Sequence, residues 1–332
     1  MHVCLVLVAS AAVIMSELIG VGISQVSLLQ LSIAAAFGMM LVGVPHGALD
    51  HLVGLRLLNQ MQRTVPRSIR KERLSKLLVF SLSYGLVVIV VIVGWFIAPA
   101  TTLLIFFALS AWHFGLEEEE VHVSSLLSHV ASIARGGMLI WVPCVFQPDQ
   151  ITNVLASVFP YSHSANSRLI VYSIQIASPI LVLLTLVDLV IHKTHFIHCI
   201  RVSIFGILFA IVHPVVSFVV YFCGWHSIRG LIKLYGDLAR PTMLKFIASL
   251  APVSCVTMLL FVAGLWYWNT QGELTPAVMK TLFIGISAIA VPHLILHALD
   301  DLLDQRNASQ LTHHRTFSRV MANGINGTEV RT

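Results

Sequence analysis

Apolar runs of membrane-spanning length follow one another along most of the chain, near Val3–Ile23, Val26–Val44, Leu77–Ala98, Leu169–Ile191, Val202–Gly224, Phe246–Trp268 and Leu282–Leu299. A span needs roughly 20 mainly apolar residues, and the hydrocarbon interior offers its backbone no water to bond, so such segments must be helices. Two weaker runs complete the set. Thr101–Phe114 is short, and Leu126–Phe146 carries Arg135, Gly136 and Gly137 near its middle, which predicts a broken or re-entrant segment. Composition agrees: 57% of the residues are hydrophobic and 11% are charged, about half the charged share of a soluble domain. The expected fold is all-α, a polytopic transmembrane helix bundle of about eight spans plus one broken or re-entrant segment. Residues 1–304 form a single integral membrane domain, and 305–332 a polar, disordered tail.

The first run lacks a basic leader and a small-residue cleavage site, so it reads as a retained span. Cys4, Cys144, Cys199, Cys223 and Cys255 are scattered through apolar runs without paired spacing and read as small buried side chains. A formal charge of +5 calls for no nucleic-acid partner. Much of it sits in Arg63, Arg67, Arg70, Lys71, Arg73 and Lys76, which charge bias places in a cytoplasmic loop. The basic residues after Gly224 place that loop on the same side. With Leu126–Phe146 not crossing as a simple helix, the runs ending at His46, His113, His226 and His293/His297 all point inward. A localisation in the cell membrane, with the N-terminus and the histidine motifs toward the cytoplasm, follows.

The chain has 16 histidines against 15 acidic residues. Solvent exposure accounts for His2, His122, His129, His313 and His314. His163 is a loop residue, and His192, His195 and His198 belong to an interfacial basic turn. The remaining set, His46, His51, His113, His213, His226, His293 and His297, lies in or at the edges of apolar spans. Ionisable groups there are costly, face the bundle interior and default to function. Neutral imidazole is the commonest metal ligand and suits iron, zinc, copper or nickel. His46 and Asp50 are four apart, which on a helix puts the carboxylate where it can orient the imidazole. His293 and His297 are also four apart and are followed by Asp300 and Asp301, so "VPHGALDH" and "VPHLILHALD" read as one device used twice. "AWHFG" and "GWHSIRG" each set a tryptophan before the histidine. A haem held by His213 and His226, thirteen apart, stays open. No nucleotide-binding glycine pattern or nucleophile elbow is present.

Taken in order, "GVPHGALDH", "SAWHFG", "HPVVSFVVYFCGWHSIRG" and "VPHLILHALD" make the chain resemble the Brp/Blh family of membrane β-carotene 15,15′-dioxygenases over roughly residues 40 to 300. The resemblance implies an enzyme that uses Fe(2+) and O2 to cleave the central double bond of β-carotene into two all-trans-retinal. It also implies a lipid-bilayer setting and a microbial rhodopsin receiving the retinal. The family's iron histidines correspond to His46, His113 and His226. The family motif carries a second histidine four residues after His226, where this chain has Gly230. His293 and His297, then His51, are the candidate replacements, and Asp50 and His51 candidate supporting residues. Trp112, Phe114, Phe218, Tyr221, Phe222 and Trp225 are candidate substrate-lining residues. Arg229 is expected to anchor at the headgroups. Two other classes stay open: a non-catalytic carotenoid- or retinal-binding protein, and another histidine-ligated metal or haem oxidoreductase.

Overall fold

The computed structural model describes residues 2–18, 26–61, 69–117, 126–159, 165–191, 195–237 and 242–326. No strand occurs among the described residues. The helices are α1 (His2–Leu18), α2 (Leu28–Gly38), α3 (Val44–Gly47), α4 (Asp50–Met61), α5 (Ile69–Ile97), α6 (Pro99–Glu117), α7 (Leu126–Gly136) and α8 (Met138–Phe146). They continue as α9 (Pro148–Val158), α10 (Ala165–Ile191), α11 (Phe196–Ile211), α12 (Pro214–Val219), α13 (Ile228–Asp237), α14 (Met243–Asn269) and α15 (Leu274–Asn326). Two π-helical segments, Met39–Gly43 and Val220–Ser227, link α2 to α3 and α12 to α13.

Among the described residues, seven stretches are long and apolar enough to cross a membrane: Leu28–Leu58, Leu74–Ile97, Pro99–Leu116, Ala165–Ile191, Pro214–Gly236, Met243–Asn269 and Leu274–Asp300. α7 and α8 pass the same test only as a pair, bent by 58°. The chain is a polytopic helical bundle of a multi-pass membrane protein.

Close backbone packing lies beside the bend. A Cβ on Gly136 would run into the backbone N of Gly115 and the carbonyl O of Ala111, and one on Gly115 into the carbonyl of Ser132. Glycine at both positions lets α6 and α7 touch backbone to backbone, as small residues do between membrane helices. The chain then turns at Gly137 into α8.

Several run boundaries shift from those the sequence suggests. Val202–Gly224 is two elements rather than one span. α11 stops at Ile211, and Pro214, which has no N–H to continue a helix, opens α12 behind the N-cap His213. The amide of Gln147 donates to the carbonyls of Phe209 (3.0 Å) and Val212 (2.8 Å), satisfying the end of α11. The spanning stretch becomes Pro214–Gly236. The run from Val26 continues through the histidine motif to Leu58. α15 runs from Leu274 through Asn326. Arg63 and Arg67 of the basic stretch lie outside the described residues.

The π segment before α3 follows from Pro45. A proline inside an α-helix removes a hydrogen bond and its ring clashes with the carbonyl four residues back, here that of Leu41. The widened turn, in which the Val44 N–H bonds to the Met39 carbonyl five residues earlier, accommodates it.

The chain divides into two compact units, Met1–Leu49 with Tyr84–Pro292, and Asp50–Ser83 with His293–Thr332. The first is built around a buried aromatic cluster that includes Phe114, Phe205, Phe209, Tyr221, Phe222 and Trp225. In the second, Gly54 gives way to the ring of Phe80, which occupies the space a side chain would need.

Candidate metal centre

In the first unit, three histidines from separate segments meet. His46 comes from α3, His113 from α6 and His226 from the π segment Val220–Ser227. The His226 ring lies 5.1 Å from His46 and 5.4 Å from His113, edge-on to both. Nδ1 of His46 is 2.7 Å from the carbonyl oxygen of Gly43. A carbonyl only accepts, so the ring carries its proton on Nδ1 and presents Nε2 as the basic nitrogen. Nε2 of His46 and Nε2 of His113 are both sealed from solvent. Aromatic rings close around them: Phe114 at 4.9 Å and Phe222 at 5.3 Å from His226, Tyr221 against Phe114 at 5.5 Å, and Phe218 stacked on Phe222.

Gly230 borders this cluster. A Cβ built on it would stand 3.3 Å from Cδ2 of His46. Position 230 therefore faces the imidazole, one turn along the helix from His226.

In the second unit, Asp50, His293 and His297 bring ligand atoms within 4.8 Å of one another. The His293 Nδ1–H donates to Asp50, at 2.8 Å from Oδ1 and 3.0 Å from Oδ2, and the His293 and His297 rings are 4.4 Å apart. This is the carboxylate–imidazole pairing that orients metal ligands, so the chain holds a His/Asp cluster that could bind a metal. Asp300 pairs with Arg56 at 3.7 Å. The spacing of Asp50 to His46 suggested that Asp50 would orient His46. The α-helix is interrupted between them at Ala48–Leu49; His46 bonds instead to Gly43, and Asp50 accepts from the ring N–H of His293. His51 is half-buried on α4.

The other residues singled out in the sequence are placed as follows. Trp112 is half-buried on α6. Trp225 is packed between Phe205 and the guanidinium groups of Arg201 and Arg229, whose central carbons stand 5.2 and 5.7 Å from its ring. His213 caps α12, its Nδ1 accepting from the Val215 N–H at 3.3 Å, which in the neutral ring places the proton on Nε2 and leaves that nitrogen no lone pair for a haem iron. His2, expected in solvent, is half-buried and lies 3.0 Å from the Gly224 carbonyl. His198, expected in a basic turn, is buried. His122, His163 and His192 lie outside the described residues. Sequence reasoning missed the buried set Arg135, Asp188, His198 and Arg201. Its signals were a charge in each of two apolar runs and a His–Arg pair one helical turn apart.

The family model described as beta-carotene 15,15′-dioxygenase matches residues 37–300, a range that contains all of these histidines except His2, which lies ahead of it. The chain is 26% identical over 267 residues to a beta-carotene 15,15′-dioxygenase of uncultured marine bacterium 66A03, covering 78% of this chain and 90% of that relative. No solved structure matches. With the matched region spanning the larger part of the sequence and carrying both histidine clusters, the chain belongs to the beta-carotene 15,15′-dioxygenase family.

Proposed function

We propose that the chain cleaves the central 15,15′ double bond of β-carotene with O2, giving two molecules of all-trans-retinal, at an Fe(2+) ion held by His46, His113 and His226. The observation that carries the metal reading is the fixed tautomer of His46. Its Nδ1–H is engaged by Gly43, and its buried Nε2 belongs to a group of three imidazoles, a donor set that suits iron. His46, His113 and His226 would hold the ion, which would supply the activation of O2, and each carbon of the broken double bond ends as an aldehyde carrying one oxygen atom.

The remaining work falls to the protein's own groups. The Gly43 carbonyl holds the His46 proton at Nδ1 and keeps the ring from turning. Phe114, Phe218, Tyr221 and Phe222 offer an apolar, aromatic wall against which a conjugated polyene can lie, and they keep water from the imidazoles. β-Carotene partitions into the bilayer, so lateral entry between helices suits a bundle of this kind. A cell-membrane location with the histidine motifs on the cytoplasmic side, and a microbial rhodopsin as recipient of the retinal, complete the reading.

Gly230 favours a second reading, a pigment-binding protein without turnover, because it removes an imidazole that the family motif supplies. Expression in bacteria that accumulate β-carotene separates the two. Bleached cells containing retinal, with none in a His113→Ala control, support cleavage; cells that stay orange support binding. Metal analysis of His113→Ala beside His297→Ala then tells which histidine set holds the ion.

A further inference from the structure

Four charged or ionisable side chains run through the interior of the first unit, and no step above uses them. Arg135, Asp188, His198 and Arg201 are 4%, 0%, 6% and 2% exposed, values that for such residues require pairing. Asp188 is the hub: its Oδ2 lies 3.0 Å from Nε of Arg135 and 3.1 Å from Nε2 of His198. Nδ1 of His198 lies 3.1 Å from Nη2 of Arg201. A guanidinium only donates, so His198 accepts at Nδ1 and carries its proton on Nε2, which donates to Asp188. The order of donors and acceptors is thus fixed from Arg201 through His198 to Asp188, and an ion pair joins Asp188 to Arg135.

Both ends of this relay reach segments that carry clustered histidines. Arg135 Nη2 donates to the Gly115 carbonyl at 2.8 Å. That carbonyl is among the last four of α6, where a cation satisfies both the bond and the helix dipole, and it lies two residues beyond His113. At the other end the Arg201 guanidinium carbon sits 5.2 Å over the ring of Trp225, the residue before His226. Links through α7, α10 and α11 therefore tie the segment bearing His113 to the segment bearing His226.

We infer that Arg135, Asp188, His198 and Arg201 are positioning residues that set the His113 and His226 imidazoles against each other, and that His198 is the joint on which the setting depends. The inference rests on the proposed metal site, and its activity arm also on the β-carotene reading.

The test uses the full chain in detergent, with Co(II) as metal probe read by its visible absorption, beside retinal formation from β-carotene. His198→Leu removes both hydrogen bonds. It is expected to lower kcat by about 10- to 100-fold, the loss typical of a supporting partner, with KM unchanged and the Co(II) spectrum altered. His198→Gln, whose amide can accept from Arg201 and donate to Asp188, is expected to restore both readouts. A Leu variant with the parent's kcat and spectrum, or a Gln variant as impaired as Leu, overturns the inference. Should His198→Leu not accumulate, Arg201→Met against Arg201→Lys is read in the same way, and failure of both apolar variants to fold makes the relay structural and overturns it. A parent chain that binds Co(II) but forms no retinal sinks the carotene reading alone. One that binds no Co(II) sinks the metal site and this inference together.

Discussion

A Cβ on Gly230 would stand 3.3 Å from Cδ2 of His46, so the absent side chain at 230 is a direct neighbour of the imidazole whose tautomer Gly43 fixes. Any larger residue there must move that ring by a few tenths of an ångström or add a group to the cluster. Gly230→His is expected to add a donor beside His46 and to retain metal at a chelator concentration that strips the parent chain. Gly230→Ala pushes the ring without adding a donor and is expected to retain less. Metal content after dialysis against increasing chelator checks both, and an alanine variant that gains retention would contradict the account.

Removal of one of the three clustered rings leaves Phe114, Phe218 and Phe222 around the gap, and these offer no lone pair in its place. His46→Ala, His113→Ala and His226→Ala are each expected to lower retinal formation by at least about 100-fold, beyond what the loss of an outer partner costs. His195 is the exposed N-cap residue of α11 and makes no side-chain capping bond, so His195→Ala is expected to leave turnover unchanged. Initial rates of retinal formation in matched membranes measure the set. Near-parent turnover in His226→Ala would remove the iron assignment.

Much of this arrangement is legible in the sequence because membrane physics leaves few choices. Long apolar runs must be helices, and imidazoles such as His46 and His226 in those runs must face the interior. What the sequence hides is local backbone geometry. Pro45 forces a π turn, and Pro214 with the N-cap His213 splits an apolar run that looks continuous. A four-residue spacing promises a shared face only on an unbroken α-helix, and the interruption at Ala48–Leu49 sends Asp50 to His293, 243 residues away in sequence. Arg135 and Asp188 were visible as costly charges in apolar runs, but their partner His198 looked like part of a basic turn, since three histidines at intervals of three resemble a surface pattern.

Asp50 and His293 form a buried, charge-assisted hydrogen bond, of a class that contributes about 1.5–3 kcal/mol. Asp50→Ala strips the acceptor from a buried ring N–H and is expected to destabilise the protein by about that amount. Asp50→Asn keeps an oxygen in place without the charge and is expected to lose less. The ordering of thermal midpoints in one detergent, parent above Asn above Ala, checks this. An alanine variant as stable as the parent would mean that the Asp50–His293 bond contributes nothing net.

Gly136 is the contact point between α7 and the segment of α6 that carries His113. Its hydrogen faces the Gly115 N and the Ala111 carbonyl, backbone atoms on either side of His113, which cannot swing away as a side chain could. Gly136→Ala must therefore separate the two helices and is expected to cost about 1–3 kcal/mol or more, as overpacking does. Separation also draws the Gly115 carbonyl from the Arg135 guanidinium and shifts His113, so turnover is expected to fall further than stability alone accounts for. Gly285 in α15 has nothing within 4 Å of its would-be Cβ, and Gly285→Ala is expected to be neutral or to stabilise by up to about 1 kcal/mol through helix propensity. Thermal midpoints and specific activity of the two variants decide the matter. Equal behaviour at the two positions would mean that backbone contact at Gly136 does not position His113.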